Sequence, residues 1–372
     1  MKYGIFGGSF DPMHLEHIKI IQNAYKQLGL DKVIIVPSFN PPHKSKLYES
    51  FDNRLEMINL GIMDYSWAII DNVEERLGLN NSYTYLVIEE LTKKYGRPYA
   101  LIVGGDSLAN FHEWKNPEII LKQTNLAVFS RKGYPDILET AQKIKNSYGC
   151  NIYTFDNDLE DISSSEIRAM IMTGISRKEL FLHEKISKYI EDKGLYKCFD
   201  YIVKKLKDSI SERLFLHSAE TAVYAVRLAS KNNINYEKAF LSGLLHDCAK
   251  EDNYDASLYP NILPQIVHQY ESAKKAKNYF GIMDDEILNS IKYHTTGAPN
   301  MSDLSKIVFL ADKLESRRQY SNVSTCRDLA DRDLHQGFLT VLTNGYNYTK
   351  NRSLDMDKLT LETILWYNNC KD

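Results

Sequence analysis

Gly7-Gly8-Ser9-Phe10-Asp11-Pro12-Met13-His14-Leu15-Glu16-His17 follows a short apolar run, Tyr3–Phe6, at the start of a 372-residue chain. The run reads as a buried strand. Gly7 and Gly8 let the backbone turn sharply and come close to a ligand. Ile18, Ile21, Ala24, Tyr25 and Leu28 then recur at helical spacing, so the segment reads strand, glycine turn, helix. A helix start offers free N–H groups and a partial positive charge, and therefore suits an anion. His14 and His17, three residues apart, share one face there and can donate to a polyphosphate.

Working outward, apolar runs at Val33–Val36, Ala68–Asp71, Ala100–Val103, Leu126–Phe129 and Ile152–Phe155 alternate with amphipathic stretches. This is the pattern of a doubly wound parallel sheet with crossover helices. In such a sheet, loops after the strands line the ligand crevice. Pro41-Pro42-His43-Lys44 follows the second strand and Gly104-Gly105-Asp106-Ser107 the fourth. Ser163-Ser164-Ser165 with Arg168 forms a further helix start, where Glu166 three residues after Ser163 fits a capping box. Gly174 suits that helix's C-terminal end, and another helix near Lys185–Asp192 ends at Gly194.

After Gly194 the texture changes to long helical patterns, as in Ala219, Ala222, Val223 and Val226. The expected fold class is therefore α/β followed by all-α, with domains at 1–196 and 197–372. Five histidines fall after residue 200, and four of them join acidic residues in apolar surroundings: His217, His246-Asp247, His268, His294 and Asp312. Imidazole and carboxylate together suit a first-row metal. A buried aspartate such as Asp312 needs a partner or a metal.

Composition narrows the classes. A formal net charge of −3 argues against bulk nucleic-acid binding. No apolar run is long enough for a membrane span, and the glycine-rich start does not read as a signal peptide. Five scattered cysteines without a C-x-x-C favour reduced thiols and a cytoplasmic location. A homo-oligomer stays open.

The first half resembles the bacterial nicotinate-mononucleotide adenylyltransferases, through GGSFDPMHLEH, PPHK at 41–44, SYT at 82–84, GGDSLANFHEW at 104–114 and ISSSEIR at 162–168. The resemblance implies adenylyl transfer from ATP to nicotinate mononucleotide, giving nicotinate adenine dinucleotide and pyrophosphate. His14, His17 and Arg168 would be catalytic. ATP would be held by Gly7, Gly8, Ser9, Phe10, His14, His17, Gly104, Asp106, Ile162, Ser163, Ser164 and Arg168, with Mg²⁺ on its phosphates. Lys44, Thr84, Asp106 and Trp114 would hold the mononucleotide. The family has a glycine just before the second histidine, and this chain has Glu16. Acceptors that stay open within the same fold are nicotinamide mononucleotide and phosphopantetheine.

The second half resembles the HD-domain metallohydrolases that split diadenosine tetraphosphate symmetrically into two ADP, through RLFLHSAET, LLHDCAK, YHTTG and FLADKLESRR. The resemblance implies a dinuclear iron or manganese site. One metal would take His217, His246, Asp247 and Asp312; the other would take His268 and His294, with Asp247 bridging and catalytic. Lys250, Arg317 and Arg318 would hold polyphosphate charge. A nucleotide-sensing role for this half, without hydrolysis, is the alternative, and a scaffold with degenerate sites is the third reading.

Overall fold

The structure is a computed structural model and describes residues 1–40, 47–78, 83–130, 137–156 and 159–369. The six expected strands are present: β1 Tyr3–Gly8, β2 Lys32–Pro37, β3 Ala68–Ile70, β4 Ala100–Gly104, β5 Asn125–Ser130 and β6 Ile152–Asp156. They form one parallel sheet in the order β3-β2-β1-β4-β5-β6. The order runs outward in both directions from the centre, so the topology reverses between β1 and β4. Loops leaving the carboxyl ends of those two strands flank the crevice where such folds bind ligands.

Both faces of the sheet are covered, which is why its strands read as continuous apolar runs. Tyr3, Ile5, Ile34, Leu101 and Val128 pack on one face with Ile88, Leu91, Phe111 and Ile120 from the following helices. On the other side lies the helix Leu15–Gln27, whose Ile18, Ile21 and Ala24 are buried. At Gly4, near the start of β1, a Cβ would lie 2.9 Å from Leu30 Cδ1 and 3.0 Å from Ile102 Cδ1, so a larger residue would push those side-chain ends aside.

The chain forms two compact units: Met1–Ser164 with Arg177–Tyr196, and Ser165–Ser176 with Lys197–Asp372. The stretch Ser165–Ser176, read from sequence with the first domain, groups with the helical unit. Within that unit the Glu166 carboxylate pairs with Arg227 at 3.3 Å, and the Arg168 guanidinium lies 5.2 Å from the centre of the Tyr236 ring.

The helical unit is built from capped helices. Ser211, Asn235, Asp284, Ser302 and Asp333 each accept a first-turn N–H, starting helices at Glu212, Tyr236, Asp285, Asp303 and Leu334. The helices Glu212–Lys231 and Tyr236–Leu245 cross at Gly243, where a Cβ would stand 2.8 Å from Ala222 Cα. Only glycine allows that approach. Among the described residues, no helix is long and apolar enough to cross a membrane.

Candidate functional site

In the sheet unit, β1 ends at Gly8 and the chain turns through Phe10, at φ 48°, into the cis Asp11–Pro12 bond. Phe10 is buried, with its ring 5.1 Å edge-on from His17, and supports that imidazole from below. His14 is the N-cap of the Leu15–Gln27 helix and His17 its third residue. The His14 backbone N–H donates to His17 Nδ1 at 3.3 Å. The rings stack 3.6 Å apart, with His14 buried and His17 more open. Since His17 Nδ1 accepts, its ring proton stands on Nε2 as a donor.

This revises one expectation. The first amide of the helix is taken: Leu15 N–H donates to Phe181 O at 2.9 Å. The His17 Nε2–H is a side-chain donor at the same helix start. The three-residue spacing of the two histidines was the available signal.

Two side chains that the sequence reading did not single out hold this loop. Arg54, almost fully buried, donates to Ser9 O at 2.7 Å and to Ser38 O at 2.8 Å, tying the loops after β1 and β2 together. Asp11 accepts the Tyr196 hydroxyl at 2.9 Å and the Tyr48 N–H at 2.8 Å. Glu16 is buried; Lys19 Nζ lies 2.6 Å from one of its oxygens, and the Glu160 N–H donates to the other at 3.0 Å. Ser164 Oγ donates to Pro12 O at 3.0 Å, bringing the start of the ISSSEIR segment to the glycine–histidine loop. Gly104 closes β4 and caps the short helix Gly105–Ala109, which contains Asp106. Thr84 begins the helix Thr84–Tyr95, and Trp114 packs 5.2 Å from Phe111. Lys44 with the rest of PPHK, Ser82 and the Asp106 side chain lie outside the described residues. Arg168 bonds Ser165 Oγ at 2.9 Å within the helical unit.

In the helical unit all six expected ligands converge. His217 comes from the helix Glu212–Lys231, His246 and Asp247 from the end of Tyr236–Leu245, and His268 from Val267–Asn278. His294 follows the helix Asp285–Lys292, and Asp312 lies in Asp303–Leu314. His217 Nε2 stands 3.1 Å from Asp312 Oδ1 and 3.2 Å from His246 Nε2. His268 Nε2 and His294 Nε2 are 3.2 Å apart. Asp247 lies between the groups. Its Oδ2 is 3.4 Å from His246 and 3.8 Å from His217, and its Oδ1 is 3.4 Å from His268 and 3.3 Å from His294. Two triads, His217-His246-Asp247 and Asp247-His268-His294, each bring their ligand atoms within 4.8 Å of one another.

The surroundings set the ring tautomers. His246 Nδ1 donates to Gly243 O at 2.7 Å, and His294 Nδ1 to Ile291 O at 2.7 Å. His217 Nδ1 faces Glu315 Oε1 at 3.3 Å. Each bond turns an Nε2 lone pair inward, the form that binds a metal. Burial lowers the pKa of His246, and burial with help from His294 pushes His268 down to about 4, so both rings are neutral near pH 7. Burial opposes ionisation of Asp247, yet His246 and His294 hold its carboxyl well below the usual carboxylate range. Asp247 Oδ1 is a fully buried oxygen with no hydrogen-bond donor. A buried anionic oxygen of that kind beside imidazole nitrogens fits a cation.

Cations surround the cluster. Lys250 Nζ lies 2.6 Å from Asp247 Oδ2, Arg318 bonds Asp312 Oδ1 at 2.8 Å, and Arg317 is exposed nearby in sequence. Lys313, also not singled out from sequence, donates to His294 O at 2.9 Å and fixes the YHTTG turn.

Comparison with known proteins finds two families along the chain. Residues 5–170 match the cytidylyltransferase-like family model and residues 214–317 the HD domain model. A Clostridium botulinum protein named a probable nicotinate-nucleotide adenylyltransferase is 38% identical over 200 residues, covering 53% of this chain and 98% of its own length. This chain belongs to the nicotinate-nucleotide adenylyltransferase family. Its adenylyltransferase half is followed by an HD domain in the same polypeptide. A Mycoplasma genitalium protein named a probable nicotinate-nucleotide adenylyltransferase/Ap4A hydrolase has the same two-part organisation. It is 28% identical over 364 residues, 93% of this chain and 98% of that protein. A solved structure of a protein described as a predicted HD superfamily hydrolase involved in NAD metabolism, from Clostridium acetobutylicum, aligns with a TM-score of 0.43 and 31% identity over 46% of this chain and 98% of its own.

Proposed function

We propose that the protein is a bifunctional enzyme. Its first half transfers the adenylyl group of ATP to nicotinate mononucleotide, releasing pyrophosphate. Its HD domain hydrolyses diadenosine tetraphosphate symmetrically to two ADP. The family of the first half supports the first activity, and the stacked His14–His17 pair at the helix start carries it. In-line attack of the mononucleotide phosphate on the ATP α-phosphorus forms no covalent enzyme intermediate, so the protein acts by positioning and by charge stabilisation. His17 Nε2–H would donate to the phosphate oxygens as charge develops, with His14 stacked beside it. Ser163, Ser164 and Arg168 are assigned the leaving pyrophosphate, and Lys44, Asp106, Thr84 and Trp114 the mononucleotide. Mg²⁺ accompanies ATP.

The observation that carries the second activity is Asp247, whose two oxygens face two histidine pairs. Iron or manganese bound there would neutralise phosphate charge and activate water. Lys250 and Arg318 now compensate the ligand carboxylates. With a metal holding those carboxylates, Lys250 and Arg318 would be available, together with Arg317, to pair with polyphosphate charge.

The test incubates purified protein with ATP plus nicotinate or nicotinamide mononucleotide, and separately with diadenosine tetraphosphate plus Fe²⁺ or Mn²⁺. Nicotinate adenine dinucleotide and ADP are the expected products. No dinucleotide from either mononucleotide would sink the first assignment. Tight metal binding without ADP release would make the HD domain a nucleotide sensor. His14→Ala and Asp247→Ala should each abolish one activity and spare the other.

A further inference from the structure

Glu16 lies between His14 and His17 in sequence and is only 3% exposed. A carboxylate beside a triphosphate site would repel its ligand if its charge were free. Here both oxygens are engaged: Lys19 Nζ lies 2.6 Å from Oε1, and the Glu160 N–H donates to Oε2 at 3.0 Å. The second partner is 144 residues away in sequence. Glu160 begins the segment that leads into Ser163 and Ser164. That segment is tight, since Ile162 N–H donates back to Glu160 O at 3.0 Å, and Leu159 and Ile162 are buried. Its far end is fastened by Ser164 Oγ on Pro12 O, 3.0 Å away. Leu159–Ser164 is therefore tied at both ends to the glycine–histidine loop and helix start, once through a serine and once through Glu16.

We propose that Glu16 is a positioning residue that holds the serine-bearing Leu159–Ser164 segment in register with the His14–His17 pair for the phosphates of a nucleoside triphosphate. The proposal rests on the reading of this half as an ATP-consuming adenylyltransferase. Glu16 touches no substrate. It sets the distance between two groups of phosphate donors, while Lys19 and the Glu160 amide absorb its charge.

The experiment uses the full-length chain with Glu16→Ala and Glu16→Gln. The glutamine oxygen can still accept the Glu160 N–H, although the pairing with Lys19 is lost; alanine loses both. Three quantities are measured: the MgATP dissociation constant by calorimetry, KM for ATP and for the mononucleotide, and amide exchange of a peptide spanning 159–164. Losing a hydrogen bond to a charged acceptor weakens what depends on it by about tenfold or more. In Glu16→Ala, MgATP affinity should fall, and KM for ATP rise, by about that factor, with mononucleotide KM within about threefold and faster exchange in the peptide. Glu16→Gln should recover most of both. Unchanged MgATP affinity in Glu16→Ala overturns the proposal, whether or not exchange increases, since the contact would then be structural only. If the unsubstituted protein makes no dinucleotide, the adenylyltransferase reading fails, while MgATP affinity and exchange still decide the role of Glu16.

Discussion

Glu315→Ala tests how the metal cluster is oriented. Glu315 is 3% exposed and meets His217 Nδ1 at 3.3 Å, while its other oxygen accepts the Arg317 N–H at 2.5 Å. Burial opposes its ionisation, but the His217 bond and the Arg317 amide hold its carboxyl below the usual range. The histidine bond is charge-assisted, a type that contributes about 1.5–3 kcal/mol. At 3.3 Å the lower part of that range applies. Removing an orienting partner of a metal-binding histidine costs roughly 10–100-fold in affinity, or about 1.4–2.7 kcal/mol. The two routes meet near 1.5–2 kcal/mol, so Glu315→Ala should bind Mn²⁺ about tenfold more weakly. Removing the carboxylate also lowers the proton affinity of His217, because Asp312 and Glu315 together raise it against the effect of burial. The titration therefore belongs near pH 8, where protons do not compete. Chelator competition gives the dissociation constant, and near-ultraviolet circular dichroism confirms the fold. Glu315→Gln, whose amide oxygen still accepts Nδ1–H, should lose only a few-fold. A folded Glu315→Ala protein that binds Mn²⁺ as tightly as the parent would refute the reasoning.

Acid should destabilise the metal-free protein. His268 is held near pKa 4 by burial, against about 6.5 when unfolded, so the unfolded chain binds more protons between those values. The stabilisation is complete above pH 6.5 and is lost as pH falls towards 4, roughly 3 kcal/mol for His268 over the full window. His246, also lowered by burial, adds to this, while His217, whose pKa is raised, offsets part of it. A urea midpoint that does not move between pH 7 and pH 5 would count against this account. Gly243→Ala forces a Cβ to within 2.8 Å of Ala222 Cα and 3.1 Å of Thr221 O, both backbone atoms. It should cost about 1–3 kcal/mol in thermal unfolding. It should also weaken Mn²⁺ binding, because the Gly243 carbonyl holds His246 Nδ1; an unchanged melting temperature would contradict the packing described.

The sheet was legible in the sequence because each strand is a short apolar run bounded by turn residues, and local periodicity reports that directly. The residues of the histidine–aspartate cluster were legible because histidine and aspartate are conspicuous in apolar stretches. Residues whose meaning depends on distant chain segments were not legible. Arg54 looks like any surface arginine until Ser9 and Ser38 are seen to lie against it. Glu16 reads as an intrusive charge until Glu160 supplies its partner. Glu315 follows a ligand by three positions in sequence, and nothing in that spacing says that it turns back to His217, 98 residues away. The grouping of Ser165–Ser176 with the helical unit depends equally on remote partners, Arg227 and Tyr236.

His17 fastens its own helix start, because its Nδ1 accepts the His14 backbone N–H, and the proposed function asks the same ring to donate to phosphate. An alanine replacement there removes a donor from the chemistry and loosens the first turn of the helix in the same stroke, so lost turnover and lost order arrive together. Asparagine, which can keep a capping acceptor while lacking imidazole, separates the two.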